Sequence, residues 1–449
     1  MPNKRSLLAG VAMALLSNFL WSGSAAALTD IELLGKNIFF DKISKPEDQQ
    51  ACASCHDPAK GWTLPDSNIN KTTVVAPGAK PKKQGTLKPP SNAYATFSPP
   101  FRPFPNPFIP PWEGGNFWDG RAEGYGALDL DTPVGNGNVS DTISLDDLPP
   151  AKQGLYQRYL GPTADQALNP FPNKVEQNIR IRRVCRTVRD ASYGYLYQRA
   201  FGEPIVCRDP GYERSYKLIA VALAAWQASS DVNSFTSKRD VALRADADGK
   251  FPLQGFGDKE NLGHDLFYNI TSSLNPTGKA ANCALCHNNF GPTSDGTEAT
   301  QIYSDHHYHN IGTPFNREIP TVVKGEKTGL TAHVTNVATG HFRTPTLRNV
   351  GKGAYAGFTK AYAHNGWFKS LKSIVHFYNT RDARPRCESL GIVKATEKQA
   401  LQNECWPVPE FPDTAAAGII GDLGLSGDDE DAIVAYLNTL TDEARVKAP

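Results

Sequence analysis

The sequence predicts a mainly helical protein of two domains, in which long loops rich in proline and glycine interrupt the helices. Three observations support this fold class. The chain has 449 residues, enough for two ordinary domains. One five-residue motif, Cys-x-x-Cys-His, occurs twice, with its copies 231 positions apart. Apolar residues also recur at helical spacing near the end of each half, as in helices that bury one face.

The first residues predict an export signal. Residues 1–27 begin with Lys4 and Arg5, continue with an apolar run and end in three alanines, which is the pattern of a secretory signal peptide. No later segment is long and apolar enough to cross a bilayer. We therefore expect a periplasmic protein with no membrane span after the signal is cleaved.

The rest of the chain divides into two predicted domains, residues 28–244 and 245–449. The first contains two loop insertions: 64–113 is rich in proline, and 123–162 is rich in glycine and aspartate. Proline cannot donate a backbone hydrogen bond inside a helix, so we expect 64–113 to be an extended loop over the surface.

Each predicted domain ends in a helix. Residues 215–231 are apolar on all sides, which predicts a buried helix. Residues 426–442 carry acids in the first turn and apolar side chains on one face, which predicts an amphipathic helix with a favourable charge at its start.

The overall charge argues against two classes of partner. The formal net charge is +1, which gives no electrostatic basis for binding nucleic acid or an anionic membrane. We expect neither as a partner.

The repeated motif predicts two covalently bound haem c groups. Its copies consist of Cys52, Cys55 and His56, and of Cys283, Cys286 and His287. In this motif the two thiols add to the haem vinyl groups and the histidine binds the iron. A zinc site would need further cysteine or histidine pairs at short spacing, and the sequence offers only histidines, at 304–310. The separation of the motifs suggests one haem in each domain.

The second axial ligands are restricted by composition. The only methionines are Met1 and Met13, both in the predicted signal, so His/Met ligation is excluded in the mature chain. After His56 the next histidine is His264. Unless an imidazole arrives from the distant half, the first iron is five-coordinate and open to a small ligand such as peroxide.

Four further cysteines predict disulfides, because the compartment is oxidising and their number is even. Three pairings can be drawn among them. We favour the two local ones, Cys185–Cys207 and Cys387–Cys405, which close short loops.

Seven motifs in fixed order resemble the bacterial diheme cytochrome c peroxidase and MauG family, over about residues 30–440. The resemblance implies two cytochrome c-like helical domains, with the haems near their interface. The motifs are "LLGKNIFFDKIS" (33–44), "CASCHDPAKGW" (52–62), "NFWDGRA" (116–122), "CALCH" (283–287), "YHNIGTP" (308–314), "FRTPTLRNV" (342–350) and "YAHNGWFKSLKSIVHFYN" (362–379).

The resemblance implies three catalytic residues. Trp118 in "NFWDGRA" matches a tryptophan that lies between the haems and can relay an electron. The family's distal acid is absent from its usual position, where this chain has Asn138. The stretch 163–178 reproduces the surrounding pattern after an insertion of roughly forty residues. It places Glu176 as the distal carboxylate, which moves a proton of H2O2, and Gln166 as its companion.

The resemblance also implies the distal ligand of the second haem. The family places it fourteen residues after the histidine of a Tyr-x-His-x-Gly turn, here His364, and that position is Tyr378. Classical peroxidases have methionine there and the MauG type has tyrosine. His376 is two positions away, on the other side of a helix, so both cannot face the iron. We predict Tyr378 as the ligand.

Two departures limit the transfer from the family. Lys88 stands where the family has an asparagine that binds calcium, although Thr359 matches a carbonyl ligand. An ammonium cannot bind Ca2+, so a calcium ion stays an open, doubtful prediction. Ala281 stands where MauG has a surface tryptophan that passes electrons to its protein substrate.

The resemblance implies a periplasmic oxidoreductase that activates H2O2 at the first haem and oxidises a partner protein through the His/Tyr-ligated second haem. One alternative is a cytochrome c peroxidase that takes electrons from a small redox protein. Another is a non-enzymatic diheme electron carrier, which requires two six-coordinate haems. A third is a related enzyme that activates O2.

Overall fold

A computed structural model describes residues 27–449, apart from 48, 81, 105–110, 127–141, 290–294, 322–327, 336, 354 and 445. The predicted signal peptide lies outside these residues, except for Ala27. Within the described ranges, no helix has the length and apolar character that crossing a membrane requires.

Helices account for most of the regular structure among the described residues, and the only strands there are two short antiparallel pairs. The helices are α1 (Asp30–Phe40), α2 (Ser67–Lys71), α3 (Gln153–Tyr156), α4 (Pro162–Ala167), α5 (Ile181–Asp190), α6 (Tyr195–Phe201), α7 (Tyr212–Gln227), α8 (Lys238–Ala245), α9 (Asp258–Tyr268), α10 (Leu371–Thr380), α11 (Glu397–Gln402) and α12 (Gly427–Asn438). The strands are β1 (Arg102–Pro103) with β2 (Trp112–Glu113), and β3 (Tyr308–His309) with β4 (Phe342–Arg343).

The first hydrophobic core is built around α7, which the sequence predicted as a buried helix. Nearly every residue of α7 from Tyr216 to Gln227 is buried, and α1, α4 and α5 pack against it. The closest approach is at Gly35 on α1, where an added Cβ would lie 1.9 Å from the carbonyl oxygen of Ala222. A side chain at this position would therefore force α1 and α7 apart.

The second core repeats this arrangement with α9, α10 and α12. At the α9–α12 crossing, a Cβ added to Gly263 would lie 2.0 Å from the carbonyl oxygen of Ala432. The Ser426 side chain accepts a hydrogen bond from the amide of Asp429 and caps α12, which buries Ile433 and Leu437 as predicted. The two cores occupy different halves of the chain, with Ile302 as the exception. The boundary after residue 244 stays a prediction.

The proline-rich insertion 64–113 differs from its prediction in one respect. It has little regular structure, but it is not confined to the surface, because Tyr94 and Phe101 are fully buried. Tyr94 donates a hydrogen bond to the carboxylate of Asp442 at 2.9 Å, which ties the insertion to the C-terminal segment. Most of the glycine-rich part of 123–162 lies outside the described residues.

One predicted disulfide is confirmed and the other is wrong in this structure. Cys387 and Cys405 are bonded, and both are buried. Cys185 and Cys207 are free thiols. The thiol of Cys185, on α5, instead donates a hydrogen bond to the carbonyl of Tyr212 at 3.4 Å.

Candidate functional site

Both Cys-x-x-Cys-His motifs fold into the same local structure. A 3₁₀ turn covers Cys52–Ser54 in the first and Cys283–Leu285 in the second. In each motif the amide of the histidine donates to the carbonyl of the first cysteine, at 3.1 Å for His56 and 2.9 Å for His287. The turn therefore holds two thiols and an imidazole at one short stretch of backbone. The four motif cysteines are free thiols.

Both histidines are oriented as iron ligands usually are. Nδ1 of His56 is 3.3 Å from the carbonyl oxygen of Trp62, and Nδ1 of His287 is 3.1 Å from that of Tyr303. A carbonyl at Nδ1 fixes the tautomer that leaves Nε2 available to a metal. Burial lowers the pKa of His56 to about 4 and also lowers that of His287. Both imidazoles are neutral near pH 7, as ligation requires.

A cavity of about 240 Å3 lies at the second motif. Cys283, Cys286 and His287 line it, and so does Tyr378 of α10. Its walls are largely apolar, with side chains from α10 and α12. Thiols, a neutral imidazole and apolar walls are the groups that a covalently bound haem needs, so the residues present fit that cofactor.

The structure separates the two candidate ligands on α10. Tyr378 lines the cavity, and burial raises the pKa of its phenol. His376 is not among the lining residues. Its Nδ1 lies 2.8 Å from the carboxylate of Glu430, and its ring packs beside Trp406. This agrees with the prediction that only one of the two side chains can face the cavity.

Glu176 lies near the first motif. Its negative charge contributes to the raised pKa of both Cys52 and Cys55. The neighbouring Gln177 contacts the sulfur of Cys52 at 3.8 Å. Burial raises the pKa of Glu176, while the charge of Arg121 opposes that shift. A carboxyl group with a raised pKa near an iron site is suited to proton transfer.

Trp118 and Gln166 line a second, smaller cavity of about 30 Å3. Trp118 is buried and donates its indole N–H to the carbonyl of Lys88 at 2.8 Å. It also lines the larger cavity. Of the three predicted catalytic residues, Trp118 therefore borders both cavities, Gln166 borders the smaller one, and Glu176 is close enough to the first motif to act electrostatically on its cysteines.

His306 is a residue that the sequence analysis missed. It lines the smaller cavity with Trp118 and Gln166, and its Nδ1 is buried without a hydrogen-bond partner. Burial lowers its pKa to about 3. By contrast, His264 stays in the second core, stacked on Phe251. No local pattern in "SDHHYHN" indicates which histidine would reach across to the first half of the chain.

Cys286, Asp305 and His309 also lie close enough to hold a metal ion. Nε2 of His309 is 2.7 Å from the carboxylate of Asp305, and the pKa of His309 is raised to about 10 despite its burial. Cys286 belongs to the second Cys-x-x-Cys-His motif, so we expect its sulfur to attach haem and not to bind a metal ion. We therefore interpret the Asp305–His309 pair as a structural ion pair.

The residues considered for calcium make other contacts. The ammonium of Lys88 is buried and donates to the carbonyl of Pro89 at 3.2 Å. The amide of Thr359 donates to the hydroxyl of Ser67 at 2.9 Å. Calcium therefore stays an open prediction.

Comparisons with known proteins agree with this architecture. A family model described as "Di-haem cytochrome c peroxidase" matches residues 13–248. The methylamine utilization protein MauG of Paracoccus denitrificans is 30% identical over 424 residues, which cover 91% of this chain and 88% of MauG. The cytochrome-c peroxidase IdrP2 of Denitromonas iodatirespirans is 24% identical over 443 residues, covering 93% of this chain and 83% of the relative.

The fold is similar to that of a solved structure, the diheme peroxidase BthA from Burkholderia thailandensis. The TM-score is 0.64 at 24% sequence identity, and the match covers 93% of this chain and 87% of BthA. The mainly helical, cytochrome c-like architecture predicted from the sequence is confirmed.

Proposed function

Because this chain belongs to the di-haem cytochrome c peroxidase family, we propose that it is a periplasmic enzyme of the MauG type. It activates H2O2 at one haem and oxidises a partner protein through the other. The family membership makes the chain a haem oxidoreductase that acts with H2O2 and carries two c-type haems. The position of Tyr378 is the observation that favours the MauG type.

Tyr378 lines the cavity of the second motif, and the chain has no methionine after residue 13 that could take its place. Cys283, Cys286, His287 and Tyr378 would hold the second haem. Burial keeps the free phenol neutral, and a ferric iron lowers the pKa of a group that it binds. An anionic oxygen ligand favours higher oxidation states than a thioether does.

At the first site, Cys52, Cys55 and His56 would hold the other haem, whose iron supplies the position where peroxide binds. Glu176 accepts the proton of the bound peroxide and returns it to the leaving oxygen. Gln166, which lines the smaller cavity, assists in this proposal by hydrogen bonding. The raised pKa of Glu176 brings its two protonation states closer together in free energy, which suits a group that acts as base and then as acid.

Trp118 connects the two sites in this proposal. Its indole borders both cavities and is held in place by the hydrogen bond to Lys88. A buried aromatic ring at this position can accept an electron from one site and pass it to the other. The partner protein then loses electrons at the second site while the peroxide is consumed at the first.

The ligand assignment is tested with Tyr378→Phe and its matched control His376→Phe, each purified with both haems. Tyr378→Phe should change the EPR and absorption spectra of the second haem, because it removes the oxygen ligand. His376→Phe should leave the spectra unchanged, since His376 pairs with Glu430. Unchanged spectra in Tyr378→Phe, or altered ligation in His376→Phe, would contradict the assignment.

A second candidate function is that of a cytochrome c peroxidase fed by a small redox protein, supported by the relative of that name. Adding H2O2 to the diferric wild type without any donor distinguishes the two. The MauG type predicts a spectral change at both haems. The peroxidase alternative predicts steady turnover only when a reduced small cytochrome or copper protein is supplied.

A further inference from the structure

The large cavity has a strongly positive lining that the proposed function does not use. Four lysine and arginine residues contribute to it: Lys88, Arg343, Arg348 and Lys360. Among the described residues that line it there is no aspartate or glutamate. Arg348 has an acidic partner behind the wall, since its guanidinium lies 2.5 Å from the carboxylate of Asp240. The other three form no salt bridge with a described residue, although the negative charge of Asp305 opposes the lowering of the Arg343 pKa.

The two lysines are almost fully buried. Lys88 is 8% exposed and Lys360 is 5% exposed. The ammonium of Lys88 donates only to the carbonyl of Pro89, and that of Lys360 donates to the carbonyls of Asn349 and Lys352 at 3.0 Å. Neither forms an ion pair within the part of the chain that the structure describes. A buried charge without a counter-ion is unfavourable in free energy. The arrangement of these lysines therefore favours the binding of an anion.

The pKa values of both lysines are lowered. Burial lowers the pKa of Lys88 to about 8, and it lowers that of Lys360 well below its ordinary value. The positive charge of Lys88 contributes to the shift of Lys360. Two ammonium groups that repel each other in an apolar pocket would be stabilised by carboxylates placed between or beside them.

Arg343 adds a third cation to the same wall. Its guanidinium is half-buried and donates to the side-chain oxygen of Asn116 at 3.1 Å, which is a neutral partner. Burial lowers the pKa of Arg343, but an arginine remains charged under all ordinary conditions. The positive lining therefore persists even where a lysine loses its proton.

We propose that Lys88 and Lys360, together with Arg343, bind the propionate carboxylates of the haem in the large cavity. The two propionates supply the negative charge that the protein lining lacks. The same cavity contains Cys283, Cys286 and His287, so the cofactor and the lysines meet in one space. The inference requires a haem in this cavity, and it is independent of the substrate that the enzyme oxidises.

This charge pairing has a consequence for the redox equilibrium of the haem. Reduction of ferric to ferrous iron lowers the positive charge at the centre by one. A nearby ammonium therefore favours the reduced state. Removing one lysine charge should lower the midpoint potential of the haem that it faces.

The test uses Lys88→Gln and Lys360→Gln in the full-length protein with both haems. Glutamine keeps a hydrogen-bond donor for the same carbonyls but has no charge. Each variant should lower the ferrous-to-ferric ratio at a fixed applied potential by about tenfold, which is ~59 mV for a one-electron couple. Lys217→Gln is the control, because Lys217 is partly buried but pairs with Asp147 at 2.9 Å.

Three further results bear on the proposal. Lys88→Arg and Lys360→Arg keep the charge and should retain the wild-type potential. If the midpoint potentials of the glutamine variants shift no more than that of Lys217→Gln, the lysines are neutral and the proposal is wrong. The proposal is also wrong if the midpoint potentials of the arginine variants fall as far as those of the glutamine variants, because a change in packing would then be the cause. Lys88→Met and Lys360→Met repeat the measurement if the glutamine variants fail to fold.

Discussion

Glu176 lies next to the thiols of the first motif in surroundings that disfavour its ionised form. Its carboxylate accepts a hydrogen bond from the side-chain amide of Asn173 at 2.9 Å, and burial raises the pKa of Glu176. Burying a carboxyl group costs more free energy than burying an apolar side chain. Stability alone therefore does not explain a glutamate at this position. Its chemistry is therefore best tested by removing the charge and keeping the shape.

We expect Glu176→Gln to slow the reaction with H2O2 by about 10²- to 10⁴-fold, the usual contribution of a general acid–base group. The rate constant is measured by stopped-flow absorption at the haem bands. Glu213→Gln, which changes an exposed acid, should have no effect. An equal rate in Glu176→Gln would remove this residue from the mechanism.

The same residue predicts a pH dependence. The ionised carboxylate is the base, and its pKa lies above the ordinary value of about 4.3 for glutamate. The wild-type rate should therefore fall as the pH drops through this raised pKa. In Glu176→Gln that acidic limb should disappear, since the variant has no carboxyl group to protonate.

A second prediction at the scale of single residues concerns His306. Its imidazole borders the smaller cavity. Its pKa is lowered by burial, by Arg343 and by His307, and Asp305 opposes this shift. No group of the first motif contributes to the shift. Glu176, by contrast, affects both cysteines of that motif. We therefore expect His306 not to bind the first iron.

Low-temperature EPR of the ferric wild type should show a high-spin signal from the first haem, and His306→Ala should leave that signal unchanged. If the wild type is entirely low-spin and His306→Ala gains a high-spin signal, His306 is the sixth ligand. That outcome would favour the electron-carrier alternative.

At the scale of elements, each core depends on one glycine where two helices cross. Gly35→Ala should separate α1 from α7, and Gly263→Ala should separate α9 from α12, because either new methyl group meets a backbone carbonyl. Each should lower the free energy of unfolding by about 1–3 kcal/mol, as overpacking usually does. Denaturant titration measures this. Gly154→Ala, in α3 with open space around it, should have no destabilising effect.

The Cys387–Cys405 disulfide closes a loop of 18 residues around α11. The double variant Cys387→Ser, Cys405→Ser should lose about 3 kcal/mol of stability, measured by denaturant titration. A reductant should destabilise the wild type but not this variant. If the reductant still destabilises the double variant, Cys185 and Cys207 are bonded in solution, contrary to the structure.

At the scale of the whole molecule, Trp118 belongs to the first half of the chain and contacts the second half. Its backbone carbonyl accepts a hydrogen bond from the amide of Arg343 at 3.0 Å, and its ring lies 6.3 Å from that of His364. Trp118→Phe should leave the first haem reactive towards H2O2 while the spectral response of the second haem is slowed or lost. Trp226→Phe is the matched control, because Trp226 is equally buried but packs within the first core. Equal responses of the second haem in both variants would exclude Trp118 as the relay.

The ordered motifs predicted several residues of the candidate site. They predicted little about the structure of the segments between the motifs. The placement of Glu176 depended on a pattern displaced by an insertion, and the structure brings it to Cys52 and Cys55. The buried parts of 64–113 were not predicted, because a proline-rich composition indicates the absence of helix and carries no information about burial. Free thiols at Cys185 and Cys207 were missed for a similar reason, since even numbers and short spacing do not specify side-chain direction.

The local sequence was sufficient to identify the two Cys-x-x-Cys-His turns and the missing methionine, because each depends on residues within one turn or on composition. Only the tertiary structure brings His306 and Trp118 to one cavity, and only it encloses Lys88 and Lys360 in a cavity whose described lining has no carboxylate. These residues are far apart in the chain, and the packing of the two halves against each other decides which charges and rings meet.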